Sequence, residues 1–469
     1  MIKNRNIYII FIVAVCLFFI KIFTHGITIG LGGDELIKWG LAHDFVFFQS
    51  HYSFTHHEMR WAHWFQSKIF TNINDPFLGY YLASLIPSSL GFFIIAYSIL
   101  KIAGVTPSII FLVITTFDQN ILESSFSLLP TNGLVLPLSI IIFMLLNKNF
   151  QLDNVKNILI IFFLSIWIYG IKETNIFFLP GIAYLIYIQG GLKYLIQFIL
   201  LFIFFYVIET AILLYHSAGP MSPFGRIHQL LLVGNEYVFE RMRSHDENIF
   251  NLLSQINKWT NTSNSYFYIS TFILLVNNFI LFKKNTSCSF SLNFSYPIFT
   301  FIIFSTFMVG QGFHDRYWLI LIPIFYANII LLFYFFFKKK NNYLLRFFVL
   351  LIVLILFNNS ASKNMYNSIN SPVSLLKIIE KYNIIQNNIL KSDCTLINFN
   401  KDTSHAVAYY FYVSLMRVHA YRPYQITKIE NNGDKNKSTW KLSFSQNCIK
   451  NYEFDIKFKN KLNYSLFLE

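Results

Sequence analysis

Long unbroken apolar runs, with no amphipathic spacing, dominate the chain. "IYIIFIVAVCLFFIKIF" (7–23), "YLIQFILLFIFFYVIETAILLYH" (194–216) and "YLLRFFVLLIVLILF" (343–357) are the clearest. In lipid the backbone has to bond to itself, so runs of this kind are helices. A helix crossing the hydrocarbon core takes roughly 20 predominantly apolar residues. After the first run, stretches near 79–101, 105–117, 129–146, 157–170, 175–189, 194–216, 265–282, 294–311, 317–337 and 343–357 bring the expected total to about eleven spans. The first run lacks a clear small-residue cleavage pattern and further spans follow it, so it reads as a retained helix and not as a cleaved signal.

The pattern changes after residue 357. A polar linker, "NNSASKNMYNSINSP" (358–372), leads into "SLLKIIEKYNII", which has helical spacing, and "CTLINFN", which reads as a strand. "TSHAVAYYFYVSLMR" (403–417) predicts a helix capped by Thr403 or Ser404. "TWKLSFSQN" and "YEFDIKFKN" alternate at strand period. The expected fold is therefore an all-α polytopic membrane protein over 1–357, followed by a small soluble α/β domain over 358–469. No internal repeat of fixed period is visible.

Composition agrees with that division. Of 469 residues, 55% are hydrophobic and 13% charged, too few polar side chains to cover a soluble protein of this length. The formal net charge of +14 would point to nucleic acid in a soluble chain. Here the lysines cluster in short loops between spans, as in "LFKKN" (281–285) and "FKKKNN" (337–342), and such loops stay on the cytoplasmic side. With the N-terminus "MIKNRN" inside, alternation puts all the Lys-rich loops inside as well. Outside fall the first loop (24–77), "DQNILESS" (118–125), "IKETN" (171–175), the loop 217–264, "GQGFHDRY" (310–317) and the tail. No basic patch interleaved with aromatics marks a nucleic-acid site. Of the four cysteines, Cys16 lies in the first span and Cys288 in a cytoplasmic loop, while Cys394 and Cys448 share the outer tail, where an oxidising compartment allows them to pair.

The outer loops carry the candidate chemistry. "LGGDELIKWGLAHDF" (31–45) puts Asp34 and Glu35 just beyond the first span, and "HYSFTHHEMRWAHWF" follows, both punctuated by apolar residues as in helices lying on a membrane surface. A solvated loop with a capping Asp is the plain reading. His56, His57, Glu58 and His63 resemble metal ligands, but the helical zinc motif needs two His four apart with Glu after the first, and "HHEMRWAH" lacks it. A third reading makes a carboxylate the general base for an acceptor hydroxyl, with cations to hold an anionic leaving group. Lys172 with Glu173, and His314 with Asp315 and Arg316, stand at the outer ends of other spans and bring cations to the same depth. Each alone is a capping or snorkelling charge. Together they suit a lipid-linked phosphate at the interface.

These motifs resemble the GT-C superfamily of membrane glycosyltransferases. Within it they are similar to the protein-O-mannosyltransferase-like group, glycosyltransferase family 39, which is related to the aminoarabinose transferases of lipid A. The "DE" at Asp34 and Glu35 matches the acidic first-loop motif, and "HHEMRWAHWF", with His57 and Arg60, looks like the His-x-x-Arg-aromatic stretch. "SSFSLLPTNGLVLPLSIIIFMLL" looks like the LPD-x-P lead-in to a span, and "HDRYWLILIP" like the late RY-x-x-P stretch. The resemblance covers roughly residues 1–357. Where the group often has Asp after "LP", this chain has Thr131 and Asn132, so the second-loop acid falls to Asp118 or Glu123; the tail has no counterpart.

The resemblance implies an inverting transfer of a monosaccharide from a polyprenyl-phosphate donor to a lipid, glycan or protein acceptor. Asp34 would be the base. Glu35, His57, Arg60, Lys172, His314 and Arg316 would bind substrate, the cations holding the phosphate. It implies no obligatory cofactor and leaves a divalent metal open. It also implies a multi-pass protein of a bacterial inner membrane with its site facing the periplasm or cell exterior. The alternatives are a transporter or flippase of lipid-linked sugars and an oligosaccharide ligase or polymerase. Transporters put ionisable groups at the bilayer midplane on broken helices, and ligases usually carry their large outer loop late in the chain.

Overall fold

The computed structural model describes residues 4–24, 41–42, 60–73, 76–118, 121, 130–146, 155–216, eight positions between 323 and 334, and the strand residues 394–399, 425–429, 438–443, 451–459 and 465–468. Up to residue 216 the described residues are mostly helical. In chain order the helices are α1 (Asn4–Thr24), α2 (Trp61–Lys68), α3 (Pro76–Ala103), α4 (Val105–Phe117), α5 (Pro130–Leu146), α6 (Val155–Ile171), α7 (Leu179–Gly190) and α8 (Leu192–His216), with a 3-10 segment (Glu173–Phe178) before α7. Among the described residues, Leu82–Ala103 and Leu192–Ile212 are long and apolar enough to cross a membrane, and four shorter apolar helices accompany them.

These helices tolerate residues that would break a soluble one. Pro87 lies inside α3 and Pro137 inside α5. Each lacks the N–H that would close a turn. Ser88 Oγ donates to the carbonyls of Ser84 (3.0 Å) and Leu85 (3.1 Å), and Ser139 Oγ to that of Leu136 (2.8 Å), so the hydroxyls beside each proline bond within their own helix. The α3–α4 and α7–α8 reversals each turn on one glycine at positive φ, Gly104 (92°) and Gly191 (79°), a conformation that a Cβ disfavours.

Reversing at each connection gives the bundle two ends. At one end stand the start of α1, the end of α3 and the starts of α4, α6 and α8; at the other stand the ends of α1, α4 and α6 and the starts of α3 and α5. Contacts agree with this arrangement. Lys101, late in α3, lies over the ring of Phe143, late in α5, with Nζ 4.6 Å from its centroid. A Cβ on Gly91 would come 2.6 Å from Val135 Cγ1, so α3 and α5 cross in close contact near their middles. Phe111, Ile141, Ile161, Phe178 and Ile182 are fully enclosed between the helices.

The two ends differ in charge. Arg5, Lys101, Lys156 and Lys193 are all exposed at the first end. At the second, Lys68 is exposed, whereas Arg60, His63, Asp118 and Lys172 are all buried.

The expected stretches at 79–101, 105–117, 129–146, 157–170 and 194–216 correspond to α3, α4, α5, α6 and α8 within a few residues. The stretch at 175–189 differs. Its first residues wind as 3-10, and α-helix begins only at Leu179, where Pro180 sits at a position that needs no N–H donor. The stretches at 265–282, 294–311 and 343–357 and the loop 217–264 lie outside the described residues, as does all of 317–337 except those eight positions.

The tail forms a five-stranded sheet from β1 (Cys394–Phe399), β2 (Gln425–Ile429), β3 (Ser438–Ser443), β4 (Asn451–Lys459) and β5 (Ser465–Leu468), in the order β2-β3-β1-β4-β5. The β1–β4 pair is parallel and the others antiparallel. Both helices expected in the tail fall outside the described residues.

Cys394 is buried and disulfide-bonded, while Cys16 is free, which leaves Cys288 and Cys448 as partners. In register, Cys394 faces Ser443 on one side and Asn451 on the other. The strands holding those two residues lie about 10 Å apart, two strand spacings, and the chain between them, 444–450, includes Cys448. Replacing Cys448 with Ser is expected to expose the Cys394 thiol to alkylation without reductant, and to cost the sheet about 4 kcal/mol in the chain-entropy model. Cys288→Ser should change neither. Mass shifts after alkylation of the two variants distinguish the partners; thiol exposure in the Cys288 variant alone would reverse the assignment.

Candidate functional site

The second end of the bundle is organised by α2. This eight-residue helix packs against α6 and also touches α3 and α5. Two glycines let it approach. A Cβ on Gly170 would come 2.7 Å from the Trp61 indole and 2.8 Å from Ala62 Cβ; one on Gly133 would come 3.1 Å from His63 Cδ2 and 3.2 Å from Gln66 Oε1. The Trp61 ring lies edge-on to Trp167 at 6.0 Å and tilted to Phe205 at 6.2 Å. Its Nε1 donates to Glu209 Oε1 at 2.7 Å, tying α2 to α8. Trp167 Nε1 donates a longer bond, 3.5 Å, to Gln66 Oε1.

This docking governs two of the expected phosphate-binding residues. Arg60 stands at the start of α2, and its carbonyl accepts from His63 N (3.0 Å). Lys172 follows α6 in extended backbone, and its carbonyl accepts from Asn175 N at 3.0 Å. Asn175 Nδ2 donates to the Ile168 carbonyl (2.9 Å), satisfying one of the acceptors left at the end of α6. Arg60 is one residue from Trp61 and Lys172 two residues from Gly170, so the Trp61–Gly170 contact brings both backbones to one place. Arg60 is 7% and Lys172 5% exposed, so neither cation is a solvated snorkelling charge.

Asp118 lies at the same end but on the other flank, where α4 packs on α1 and α3. Its Oδ1 accepts from Ile121 N at 3.0 Å, and its Oδ2 from the hydroxyl of Tyr326, 208 residues later. The side chain therefore ties a late helical stretch to the end of α4. His63, read from sequence among candidate metal ligands, is buried against Gly133. Among the described residues no group of three or more His, Cys, Asp or Glu is arranged to hold a metal. Asp34, Glu35, His56, His57, Glu58, Glu123, His314, Asp315 and Arg316 lie outside the described residues.

Sequence reading missed three polar groups at this end. Glu209 sits inside the apolar stretch Leu192–Ile212, and Lys21 in the last turn of α1, 3% exposed with Nζ 4.9 Å from the Phe92 ring centroid. Both were legible as single ionisable residues in spans, which are functional candidates by default. Trp61 looked like one aromatic among many; only Gly170 and Glu209 single it out.

No protein-family model matches the chain, and neither a curated protein nor a solved structure matches it.

Tyr326→Phe tests the Asp118 tie. Removing the hydroxyl takes one hydrogen bond from a buried carboxylate, which is expected to cost about 1–3 kcal/mol. Thermal unfolding in detergent should show a lower midpoint for the full chain; an unchanged midpoint would mean that the tie contributes nothing.

Proposed function

We propose that the chain is a membrane glycosyltransferase that moves a monosaccharide from a polyprenyl-phosphate donor to a lipid, glycan or protein hydroxyl. The observation that carries this reading is the pair of buried cations, Arg60 and Lys172, on adjoining backbone at the bundle end opposite Arg5, Lys101, Lys156 and Lys193. Short basic segments stay cytoplasmic, which makes the Arg60–Lys172 end the outer face. The disulfide at Cys394 fits the same orientation for the tail, since such bonds persist in oxidising compartments. A bacterial inner membrane with about eleven spans and a small extracytoplasmic α/β domain at 358–469 completes the proposal.

The chemistry follows from what a phosphate leaving group needs. Asp34 takes the proton of the acceptor hydroxyl as its oxygen attacks the anomeric carbon from the face opposite the phosphate. The glycosidic C–O bond breaks, the configuration inverts, and both electrons leave with the phosphate oxygen. Charge grows on that phosphate in the transition state, so fixed cations such as Arg60, Lys172 and Arg316 stabilise it more than the ground state. Burial strengthens the effect, because a charge pair interacts more strongly where water is excluded. Glu35, His57 and His314 bind substrate, and Asp118 or Glu123 supplies a second acid. Of these two, Asp118 already bonds both oxygens to Tyr326 and Ile121.

A flippase of lipid-linked sugars is the second reading, and Glu209 favours it, being a carboxylate within an apolar helix. Turnover separates the two. Purified full-length protein, given a panel of polyprenyl-phosphate monosaccharides and acceptor lipid, is expected to release polyprenyl phosphate. Asp34→Asn should reduce release by ~10²–10⁴ without changing yield or thermal midpoint. Release at the wild-type rate in the Asn variant removes Asp34 from the mechanism. No release with any donor, with lipid-linked sugar still moved across vesicles, replaces the transferase with the flippase.

A further inference from the structure

We infer that Glu209 is a positioning residue for the phosphate site, acting through Trp61 on Arg60; the inference rests on the transferase reading. Two independent features fix the Trp61 ring. One is steric: the indole fills the notch at Gly170, which any Cβ would close. The other is polar: Nε1 donates to Glu209 Oε1 at 2.7 Å, the short distance of a hydrogen bond to a carboxylate. The notch fixes where the ring sits along α6. The carboxylate fixes its rotation, because an indole has a single N–H and therefore a single direction in which it can donate.

Glu209 is placed to hold the Trp61 ring. The lipid-facing side of α8 carries Ile199, Ile203, Phe204, Val207 and Ile212, all exposed, whereas Glu209 is 6% exposed on the side that meets α6 and α2. A carboxylate in an apolar helix is costly, and an apolar residue would pack there at lower cost. What the carboxylate adds is direction for the Trp61 ring, and Arg60 is the next residue back along the chain. With the tie lost, the first turn of α2 can shift at its Gly170 contact while Gly133 still holds His63 and Gln66, and the Arg60 guanidinium shifts with it, away from the position where phosphate charge develops.

This predicts a selective defect. Glu209→Leu and Trp61→Phe remove the two halves of the tie, and Glu209→Gln keeps an oxygen acceptor. The experiment measures binding of polyprenyl phosphate and of neutral polyprenol to the full chain in detergent, alongside the indole ¹⁵N–¹H resonance of Trp61, assigned by its loss in Trp61→Phe. In wild type, polyprenyl phosphate is expected to bind at least ten-fold more tightly than polyprenol. Glu209→Leu and Trp61→Phe should each remove most of that preference while polyprenol binding stays within about two-fold. The double variant should be no worse than either single, as for residues acting through one contact. Glu209→Gln should retain most of the preference, with the Trp61 resonance shifted upfield from wild type and less so than in Glu209→Leu.

Each alternative outcome is distinct. A wild-type protein with no preference for phosphate overturns the phosphate site itself, and the positioning role with it. A wild-type preference that survives in Glu209→Leu overturns the positioning role alone. Equal loss of phosphate and polyprenol binding assigns Glu209 to folding and not to positioning; Glu209→Gln and Trp61→Phe, both conservative, keep that comparison open if the Leu variant does not fold.

Discussion

An ionisable side chain inside an apolar helical bundle has to be held by a partner, and that requirement shapes the second end of this protein. An uncompensated buried charge costs several kcal/mol even after relaxation, comparable with the whole stability of many domains. One oxygen of Glu209 is held by Trp61, 148 residues away in sequence, and one of Asp118 by Tyr326, 208 residues away. Each pair joins elements that local propensity would never bring together. The first fixes the short helix α2 on α8, and the second fixes a late helical stretch on the end of α4. The polar groups thus specify which helices meet, while burial of Phe111, Ile141, Ile161 and their neighbours supplies the bulk of the packing.

Close approach is the second half of the same design. An eight-residue helix forms little stable structure alone, so α2 exists because it docks. Gly170 and Gly133 provide the notches that admit Trp61 and His63. Docking encloses Arg60 and Lys172. An anion bound among enclosed charges is held more strongly than one in water, which is the connection between packing and the proposed chemistry. The first end needs no such arrangement: Arg5, Lys101, Lys156 and Lys193 remain in contact with solvent or headgroups.

Much of the helical frame was legible in the sequence because apolar runs of this length have one structural solution. The starts of α5 and α8 and the break at Gly104 follow from composition and from proline and glycine punctuation. The 3-10 segment before α7 was not legible, since "ETNIFF" has the hydropathy of the span it precedes. A β-like run marked β1 and strand period marked β3 and β4, whereas β2 and β5 are too short to carry a pattern, at five and four residues. At the candidate site, Arg60, Lys172 and Asp118 were visible as charges beside spans. Their burial was not: that of Arg60 and Lys172 depends on the packing of α2, which rests on two glycines and one carboxylate at distant positions, and that of Asp118 on a stretch 208 residues later. A sequence reading finds charged residues readily and the partners that hold them poorly.

The account turns on the two ends of the bundle facing opposite sides of the membrane, with the buried ionisable groups outward. Single cysteines at Ile69, exposed just after α2, and at Lys193, exposed at the start of α8, mark the two ends. In a background with Cys16 and Cys288 replaced by Ser and the Cys394 disulfide intact, the measurement is labelling of spheroplasts with a membrane-impermeant maleimide, before and after permeabilisation. The expected result is that Ile69→Cys labels in intact spheroplasts and Lys193→Cys only after permeabilisation. Labelling of Lys193→Cys alone in intact spheroplasts, or of both positions equally, would contradict the outward placement of Arg60 and Lys172 and the chemistry assigned to them.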